Sequence, residues 1–305
     1  MHIRLVVWAI ALIGLLLSGT RSSLAEPRIA LVIGNGTYSG IPALRNPVND
    51  ARAMDQALRG LGFEVIRLEN ASKDQIERGL TQLTQRLPPN AVSLMYYAGH
   101  GVQMGGHNYL IPTDALITSE GALRNQSIDV DAVISQVAGA RARLSIVILD
   151  ACRDNPFRLS EQIPAGASAT GPRLVMGSNN SRFRSVSGGL ASVAAPAGVL
   201  IAYATAPGSV AADGGGVNGL YTAELIHAMS MPGASIERVF KQTRLEVLQK
   251  SGGMQIPWEA SSLTGEFSFR PGAVQSVPAA PSPSEMTTGS VNAKCFSFNG
   301  KQFCE

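Results

Sequence analysis

Two segments decide the fold, Ala91-Val-Ser-Leu-Met-Tyr-Tyr-Ala98 and Leu144-Ser-Ile-Val-Ile-Leu149. Both are apolar along almost their whole length, and each leads into glycine or charged residues. A strand that is apolar throughout is typical of a parallel sheet covered on both faces, because a half-exposed strand would alternate apolar and polar residues. The two segments therefore predict buried strands of a largely parallel sheet.

Strand and helix patterns alternate along the rest of the chain. Apolar runs predict further strands, and apolar residues on one helical face predict amphipathic helices between them. The predicted strands cover residues 28–33, 64–68, 198–204 and 266–269, and the predicted helices cover residues 48–61, 72–87, 128–140, 219–229 and 235–250. The fold class is therefore α/β, with a mostly parallel central sheet and helices on both faces.

The first 25 residues are predicted to be a secretory signal peptide. Arg4 precedes an apolar run over residues 5–17, which is shorter than the ~20 residues that cross a bilayer. Small residues at Ser23 and Ala25 suit cleavage directly after them. We expect an exported protein, periplasmic or secreted, without a stable membrane span after cleavage; an uncleaved membrane anchor is the alternative.

Composition divides the remaining chain into a domain, a linker and a tail. Their predicted bounds are 26–270 for the domain, 271–294 for a Pro/Ala/Ser linker and 295–305 for a small β-hairpin. Within the domain, a loop over 156–197 separates a part over 28–155 from a part over 198–270. Loops of this length are usually functional or disordered, so the loop is either an active-site element or a cleavable linker. It carries several arginines: Arg158, Arg173, Arg182 and Arg184.

The three cysteines are predicted to have different states. Cys295 and Cys304 flank Asn299-Gly300, which is the preferred two-residue hairpin turn, and counting outward from that turn pairs the two cysteines. In an exported chain such a pair tends to form a disulfide, and two unpaired surface cysteines are the alternative. The remaining thiol is Cys152.

Composition and motifs argue against two classes of function. The chain of 305 residues has 25 Lys and Arg against 22 Asp and Glu, and no basic block stands out. Nothing in it therefore predicts nucleic-acid binding. His107 and His227 belong to no paired metal-binding motif. We expect no nucleic-acid partner, no metal and no other cofactor.

Two reactive side chains follow the two segments that decide the fold. His100 comes just past the first segment, between two glycines, and Cys152 comes just past the second. The carboxyl ends of parallel strands lie along one edge of a sheet, so the two side chains are expected to meet. A nearby imidazole makes a thiol a useful nucleophile. Taken singly, His100 is also compatible with a turn residue, and Cys152 with a small buried apolar residue.

At these residues the chain resembles the caspase-like cysteine peptidases, the clan of caspases, metacaspases and bacterial relatives. Asp150-Ala151-Cys152-Arg153 follows His100 by 52 residues, close to the ~50-residue separation of the caspase signature. Asn46–Ala51 resembles an N-x-x-N-D-A segment of these proteins. The resemblance covers roughly residues 28–269, and it implies the caspase-like version of the α/β fold.

The resemblance also implies roles for five residues. It makes Cys152 the nucleophile, His100 the general acid and base, and the backbone N–H groups of Gly101 and Cys152 the oxyanion hole. Asp50 and Asp150 take positions where metacaspases carry carboxylates that receive a basic substrate residue. An ordinary structural role remains open for each carboxylate, since Asp50 suits a helix N-terminus and Asp150 suits the turn before Cys152.

Metacaspases carry an acidic calcium-binding loop after the Gly-His-Gly motif. In this chain residues 102–108 have no carboxylate, and only Asp114, Asp129 and Asp131 are scattered candidates further on. Calcium takes six to eight oxygen ligands, so a calcium requirement has little support from the sequence. We therefore predict no metal, although the chain resembles a clan that includes calcium-binding metacaspases.

The sequence thus predicts an exported cysteine endopeptidase that cleaves proteins or peptides after Arg or Lys. Cleavage of its own 156–197 loop is expected beside an equally open alternative, an uncut loop. Two other classes of function also stay open. One is a catalytically idle scaffold on the same fold, and the other is a cell-envelope binding protein whose terminal hairpin is the working part.

Overall fold

The computed structural model describes residues 26–140, 142–152, 186–187, 190, 193–206, 216–272, 295–298 and 301–304. For Cys152, residues 186–187 and the terminal hairpin it describes the backbone alone. The predicted signal peptide and most of the predicted loop and linker lie outside the described residues. The chain divides into two compact units, one ending at Pro271 and one beginning at Gly272.

The first unit is built on a mostly parallel sheet, as the sequence predicts. Its strands are β1 (Arg28–Gly34), β2 (Glu64–Glu69), β3 (Val92–Met104), β4 (His107–Leu110), β5 (Ile128–Asp129), β6 (Leu144–Cys152), β7 (Val186–Ser187), β8 (Val199–Tyr203) and β9 (Trp258–Ser261). The main order is β2-β1-β3-β6-β8-β9. The first five of these strands are parallel, and β9 runs antiparallel to β8.

Helices cover both faces of this sheet, which confirms the predicted fold class. They are α1 (Pro47–Gly60), α2 (Lys73–Arg86), α3 (Glu120–Gln126), α4 (Val130–Ala138), α5 (Leu220–Met229) and α6 (Ile236–Lys250). Apolar residues of α1, α5 and α6 share one core with the sheet, and those of α2 and α4 share the core on the other face. Within the described part of the chain, no helix is both long and apolar enough to cross a membrane.

The two segments that decide the fold are longer strands than the sequence predicts. β3 loses its β1 partner after Ala98, but it stays paired with β6 as far as His100. It then continues because β4 folds back antiparallel on Gly101–Met104. His100 and Cys152 therefore lie within strands, and the prediction that each comes just past a strand is wrong.

Short strands enlarge the sheet around this extension. β4 also pairs with β5, and β7, which lies inside the predicted 156–197 loop, pairs with β3. The predicted helix over 128–140 begins two residues late, since Ile128 and Asp129 form β5 and Asp129 caps α4. A two-residue strand is too short to show a period of its own, so the apolar helical pattern after it hid β5.

The predicted strand over 266–269 is wrong. Phe267 and Phe269 are buried and Glu266 is exposed, and this alternation imitates a strand. The backbone carbonyls of this stretch are bound by other groups, because Arg28 donates to the carbonyls of Ser268 and Phe269 and the Ile236 N–H donates to that of Phe267. The edge strand of the sheet is β9 instead.

The second unit contains the terminal hairpin, β10 (Cys295–Phe298) and β11 (Lys301–Cys304). Its antiparallel register pairs Cys295 with Cys304, Phe296 with Phe303, Ser297 with Gln302 and Phe298 with Lys301. This is the predicted register. The Cys295–Cys304 disulfide itself stays a prediction.

Candidate active site

His100 and Cys152 occupy neighbouring backbone positions at one end of the sheet. The parallel pairing of β3 and β6 ends with His100 opposite Cys152, and paired strands lie about 4.8 Å apart. The two residues face each other because β3 and β6 both continue beyond their apolar segments and stay paired as far as His100 and Cys152. The backbone positions of His100 and Cys152 are thus adjacent at the carboxyl edge of the sheet.

The His100 ring is held by the connection between β1 and α1. His100 is only 5% exposed, and its Nε2 lies 2.8 Å from the carbonyl oxygen of Pro42. A carbonyl oxygen can only accept, so Nε2 carries the proton of the neutral ring and Nδ1 carries the lone pair. The Tyr38 ring packs against the imidazole with centroids 4.8 Å apart. The site therefore fixes both the orientation and the tautomer of His100.

The backbone of His100 is fixed as firmly as its ring. Its N–H donates to the Tyr38 hydroxyl at 2.8 Å, and its carbonyl accepts from the Tyr97 hydroxyl at 2.8 Å and from the Ile111 N–H at 3.0 Å. Gly99 makes this arrangement possible, because a Cβ there would lie 2.6 Å from the Tyr97 oxygen and 2.7 Å from the Tyr38 oxygen. Its φ of +156° is also rare for other residues.

Gly101, the predicted oxyanion-hole residue, is buried beside β6. It pairs with Leu110 of β4, and a Cβ at this position would lie 2.9 Å from the Cβ of Ala151. Glycine therefore lets β3 approach β6 closely one residue before Cys152. The position suits a backbone N–H donor near the reacting carbonyl, and that role stays a prediction.

Asp50 reaches across the molecule from α1 to the start of α5. It is 3% exposed, and its Oδ1 accepts from the Gly219 N–H at 2.8 Å and from Asn218 Nδ2 at 3.0 Å. The simple alternative, that Asp50 serves the helix in which it lies, does not account for these contacts. Its carboxylate stabilises the N-terminus of α5, where the helix dipole favours a negative charge.

Asp150 lies inside β6 rather than in a turn, and two hydroxyl groups stand beside it. The Thr222 hydroxyl donates to Asp150 Oδ2 at 2.6 Å, and the Tyr96 hydroxyl lies 3.5 Å from the same oxygen. Tyr96 and Thr222 are themselves 2.5 Å apart between their oxygens. Burial, followed by the charges of Asp150 and Asp50, raises the pKa of Tyr96 well above its ordinary value. Tyr96 therefore remains a protonated donor.

The two predicted substrate-binding carboxylates converge on Gly219, the N-cap of α5. A Cβ on Gly219 would lie 3.2 Å from Asp50 Oδ2 and 3.7 Å from Asp150 Oδ2. Residues that are 100 positions apart in the chain thus bring two carboxylate oxygens within 4 Å of one point. Any larger residue at Gly219 would intrude on the space between them.

Two of the three scattered acidic candidates come together with His107. His107 Nδ1 lies 2.8 Å from Asp131 Oδ2, and one ligand atom each from His107, Asp129 and Asp131 lie within 4.8 Å of one another. Asp114 instead accepts from the Lys73 N–H at the start of α2. An imidazole with two carboxylates is a poor match for calcium, which prefers six to eight oxygens. No step is therefore assigned to calcium.

Comparison with known proteins assigns the chain to a family. The caspase-domain model of the peptidase C14 family matches residues 27–268, which includes all five predicted site residues. The chain belongs to the caspase-domain peptidases. This confirms the family that the Gly-His-Gly and Asp-x-Cys segments resemble.

Named proteins from human and mouse match part of this chain. Over 136 residues, 44% of this chain, it is 30% identical to mucosa-associated lymphoid tissue lymphoma translocation protein 1 of Homo sapiens. The homolog of that protein in Mus musculus matches over the same length with the same identity. The matched segment spans only 16% of either relative.

Sequence patterns do not single out several residues that build this candidate site, among them Tyr38, Pro42, Tyr96 and Thr222. Tyr38 and Pro42 lie in the aperiodic connection between β1 and α1, which gives no pattern to read. Tyr96 sits within an apolar strand, where it resembles any core aromatic. Thr222 lies in the first turn of α5 beside Tyr221, where a threonine is ordinary and does not indicate a contact with Asp150.

Proposed function

We propose that this caspase-like peptidase is an exported cysteine endopeptidase that cleaves peptide bonds after Arg or Lys. The observation that carries the proposal is the convergence of the Asp50 and Asp150 carboxylates on Gly219, beside the edge where His100 and Cys152 are neighbours. The proposal assigns catalysis to the imidazole and thiol and specificity to the two carboxylates.

Peptide hydrolysis would proceed through a thioester. Cys152 Sγ attacks the substrate carbonyl carbon while Nδ1 of His100 accepts the thiol proton, and the oxyanion that forms is held by the N–H groups of Gly101 and Cys152. When the tetrahedral intermediate collapses, the amine leaves with the proton from His100. Water, activated by the same nitrogen, then hydrolyses the thioester and restores the thiol. The Pro42 contact supports this scheme, because it leaves Nδ1 as the basic atom.

Specificity for a basic residue follows from the charge of the pocket. A guanidinium between two carboxylates makes charge-assisted hydrogen bonds, which are bidentate for arginine. An acidic substrate residue there would meet two negative charges, one of them on the buried Asp50. Asp50 and Asp150 stay compatible with each other in the free enzyme because the α5 N-terminus, Asn218 and Thr222 supply donors to them.

Export and self-processing complete the proposal. The apolar segment before Ser23 supports export, and the arginines of the 156–197 loop offer sites to a basic-specific peptidase. Both features lie outside the described residues. Cleavage within the loop would leave a large and a small fragment associated, since β6 and β8, on either side of the loop, pair in one sheet.

The decisive experiment is a cleavage profile of the purified mature chain. Fluorogenic peptides that differ only at the residue before the scissile bond (Arg, Lys, citrulline, Asp) are compared for wild type and Cys152→Ala. We expect turnover after Arg and Lys by wild type alone, and a denaturing gel that shows two fragments for wild type and one band for Cys152→Ala. Equal turnover by both proteins, or wild-type preference for Asp, would refute the proposal.

A further inference from the structure

A chain of hydroxyl groups leads from the sheet core to Asp150. The Tyr96 and Thr222 oxygens are 2.5 Å apart, and Thr222 Oγ1 is 2.6 Å from Asp150 Oδ2. Both Tyr96 and Thr222 are fully buried. The family assignment gives neither residue a role, and neither is a candidate to touch the reacting atoms.

The direction of this chain is fixed by its chemistry. An ionised carboxylate can only accept, so the single Thr222 proton points to Asp150. The Thr222 oxygen must then accept from Tyr96, whose hydroxyl stays protonated because burial raises the pKa of Tyr96. Hydrogen bonds in such a chain polarise one another, so each donor strengthens the next.

We propose that Thr222, backed by Tyr96, is a specificity-determining positioning residue that holds Asp150 as an oriented carboxylate for a basic substrate side chain. The inference rests on the proposed preference for Arg and Lys and deepens it. Asp50 is held by the backbone N–H of Gly219, a donor that no side-chain substitution removes. Asp150 accepts from the side-chain hydroxyl of Thr222, a donor that a single substitution removes.

The test compares Thr222→Val with wild type. Valine keeps the shape of threonine and removes the donor to Asp150. The readout is the ratio of kcat/KM for an arginine peptide to that for the matched citrulline peptide, which has the same shape without the charge. Because hydrogen bonds to charged groups are worth a factor of ~10 to 100, we expect this ratio to fall about 10- to 100-fold in Thr222→Val, mainly through KM for the arginine peptide.

Three further variants separate positioning from general damage. Thr222→Ser keeps the hydroxyl and is expected to recover most of the ratio. Thr243→Val makes the same change at another fully buried threonine, one whose hydroxyl bonds the Val239 carbonyl of its own helix α6, and it should leave the ratio unchanged. Tyr96→Phe keeps the Thr222 donor, removes the hydroxyl behind it together with its longer 3.5 Å contact with Asp150, and should lower the ratio about 3- to 10-fold. It decides the matter if Thr222→Val does not fold.

The outcomes distinguish this inference from the proposed function. A wild-type enzyme without preference for arginine over citrulline overturns the basic specificity and the inference with it. A wild type that prefers arginine, with Thr222→Val or Tyr96→Phe matching its ratio, overturns the inference alone. Equal loss on both peptides, with no recovery in Thr222→Ser, would show a merely structural residue and would also overturn it.

Discussion

The imidazole side and the carboxylate side of the site are held in place by different kinds of contact. His100 is fixed through the Pro42 carbonyl and through its own backbone N–H and carbonyl. Asp150 is held by the hydroxyl of Thr222, and Asn218 adds a side-chain donor to Asp50. The orientation of the His100 ring therefore rests on a backbone carbonyl, which no side-chain substitution removes, whereas Asp150 accepts from a side-chain hydroxyl, which a single substitution removes.

The largest effect is expected on the catalytic side. Replacement of His100 by Ala removes the group that accepts and returns the proton, and we expect kcat/KM to fall about 10³-fold or more on every peptide that wild type cleaves. The arginine-to-citrulline ratio should change little, since the carboxylates remain. Steady-state kinetics on the peptide pair measures both numbers. A His100→Ala variant with near-wild-type turnover would remove the imidazole from the mechanism.

A smaller loss is expected from Gly99→Ala, which tests the backbone support of His100. The added Cβ would collide with the hydroxyl oxygens of Tyr38 and Tyr97, so kcat should fall about 10- to 100-fold as His100 is displaced. Gly105→Ala is the matched control, because Gly105 also has a positive φ, of +59°, but has nothing within 4 Å of a Cβ. Similar kcat values for the two variants would contradict the role given to Gly99.

Sequence patterns predicted the parts of this site that depend on strand order. Apolar segments that begin β3 and β6 place His100 and Cys152 at one edge, and the register of the two strands agrees. The patterns could not predict that Pro42 fixes the His100 ring, since this contact joins residues 58 positions apart through a connection without periodicity. Tertiary contacts of this kind leave no local signal.

The segment over 266–269 shows that a local pattern can also predict a strand that tertiary contacts prevent. Alternating burial is a property of Phe267 and Phe269 in the core, and a strand is only one way to produce it. The backbone of this segment forms no strand because the Arg28 guanidinium donates to the carbonyls of Ser268 and Phe269, which a neighbouring strand would need as acceptors. That competitor lies about 240 positions away in the sequence.

A substitution of Arg28 is expected to lower the stability of the fold without changing catalysis or specificity. Its guanidinium donates to the carbonyls of Leu61, Ser268 and Phe269 and lies over two phenylalanine rings. Arg28→Met leaves these acceptors without their donor, so we expect a loss of about 1 to 3 kcal/mol in unfolding free energy, with kcat/KM unchanged. Denaturant titration measures it.

Arg78→Met serves as the control for Arg28→Met, because both side chains of the Arg78–Asp74 pair are exposed and the pair is expected to contribute little to stability. If the two variants have the same midpoint of unfolding, the contribution assigned to Arg28 is wrong. A changed arginine-to-citrulline ratio in Arg28→Met would instead show that the contacts of Arg28 affect the Asp50 and Asp150 carboxylates.

The smallest effect on activity is expected from the terminal hairpin. The register places Cys295 opposite Cys304, and in an exported chain we expect this pair to be oxidised while Cys152 stays reduced. Non-reducing peptide mapping identifies the bridge, and the double variant Cys295→Ser with Cys304→Ser should keep the peptidase activity of wild type. A bridge between Cys152 and either tail cysteine would contradict this and would indicate redox inhibition.

We expect Asp50 and Asp150 to receive a basic substrate residue while a separate imidazole and thiol cleave the bond. Asp50→Asn and Asp150→Asn separate these two roles, because asparagine keeps the shape and one acceptor oxygen of each carboxylate. Cleavage of arginine and citrulline peptides is measured beside the rate at which iodoacetamide alkylates Cys152.

We predict that each variant loses about 10²-fold or more in kcat/KM on the arginine peptide, keeps its turnover of citrulline and alkylates at the wild-type rate. Full preference for arginine in both variants, or cleavage after Asp by the wild type, would contradict the account.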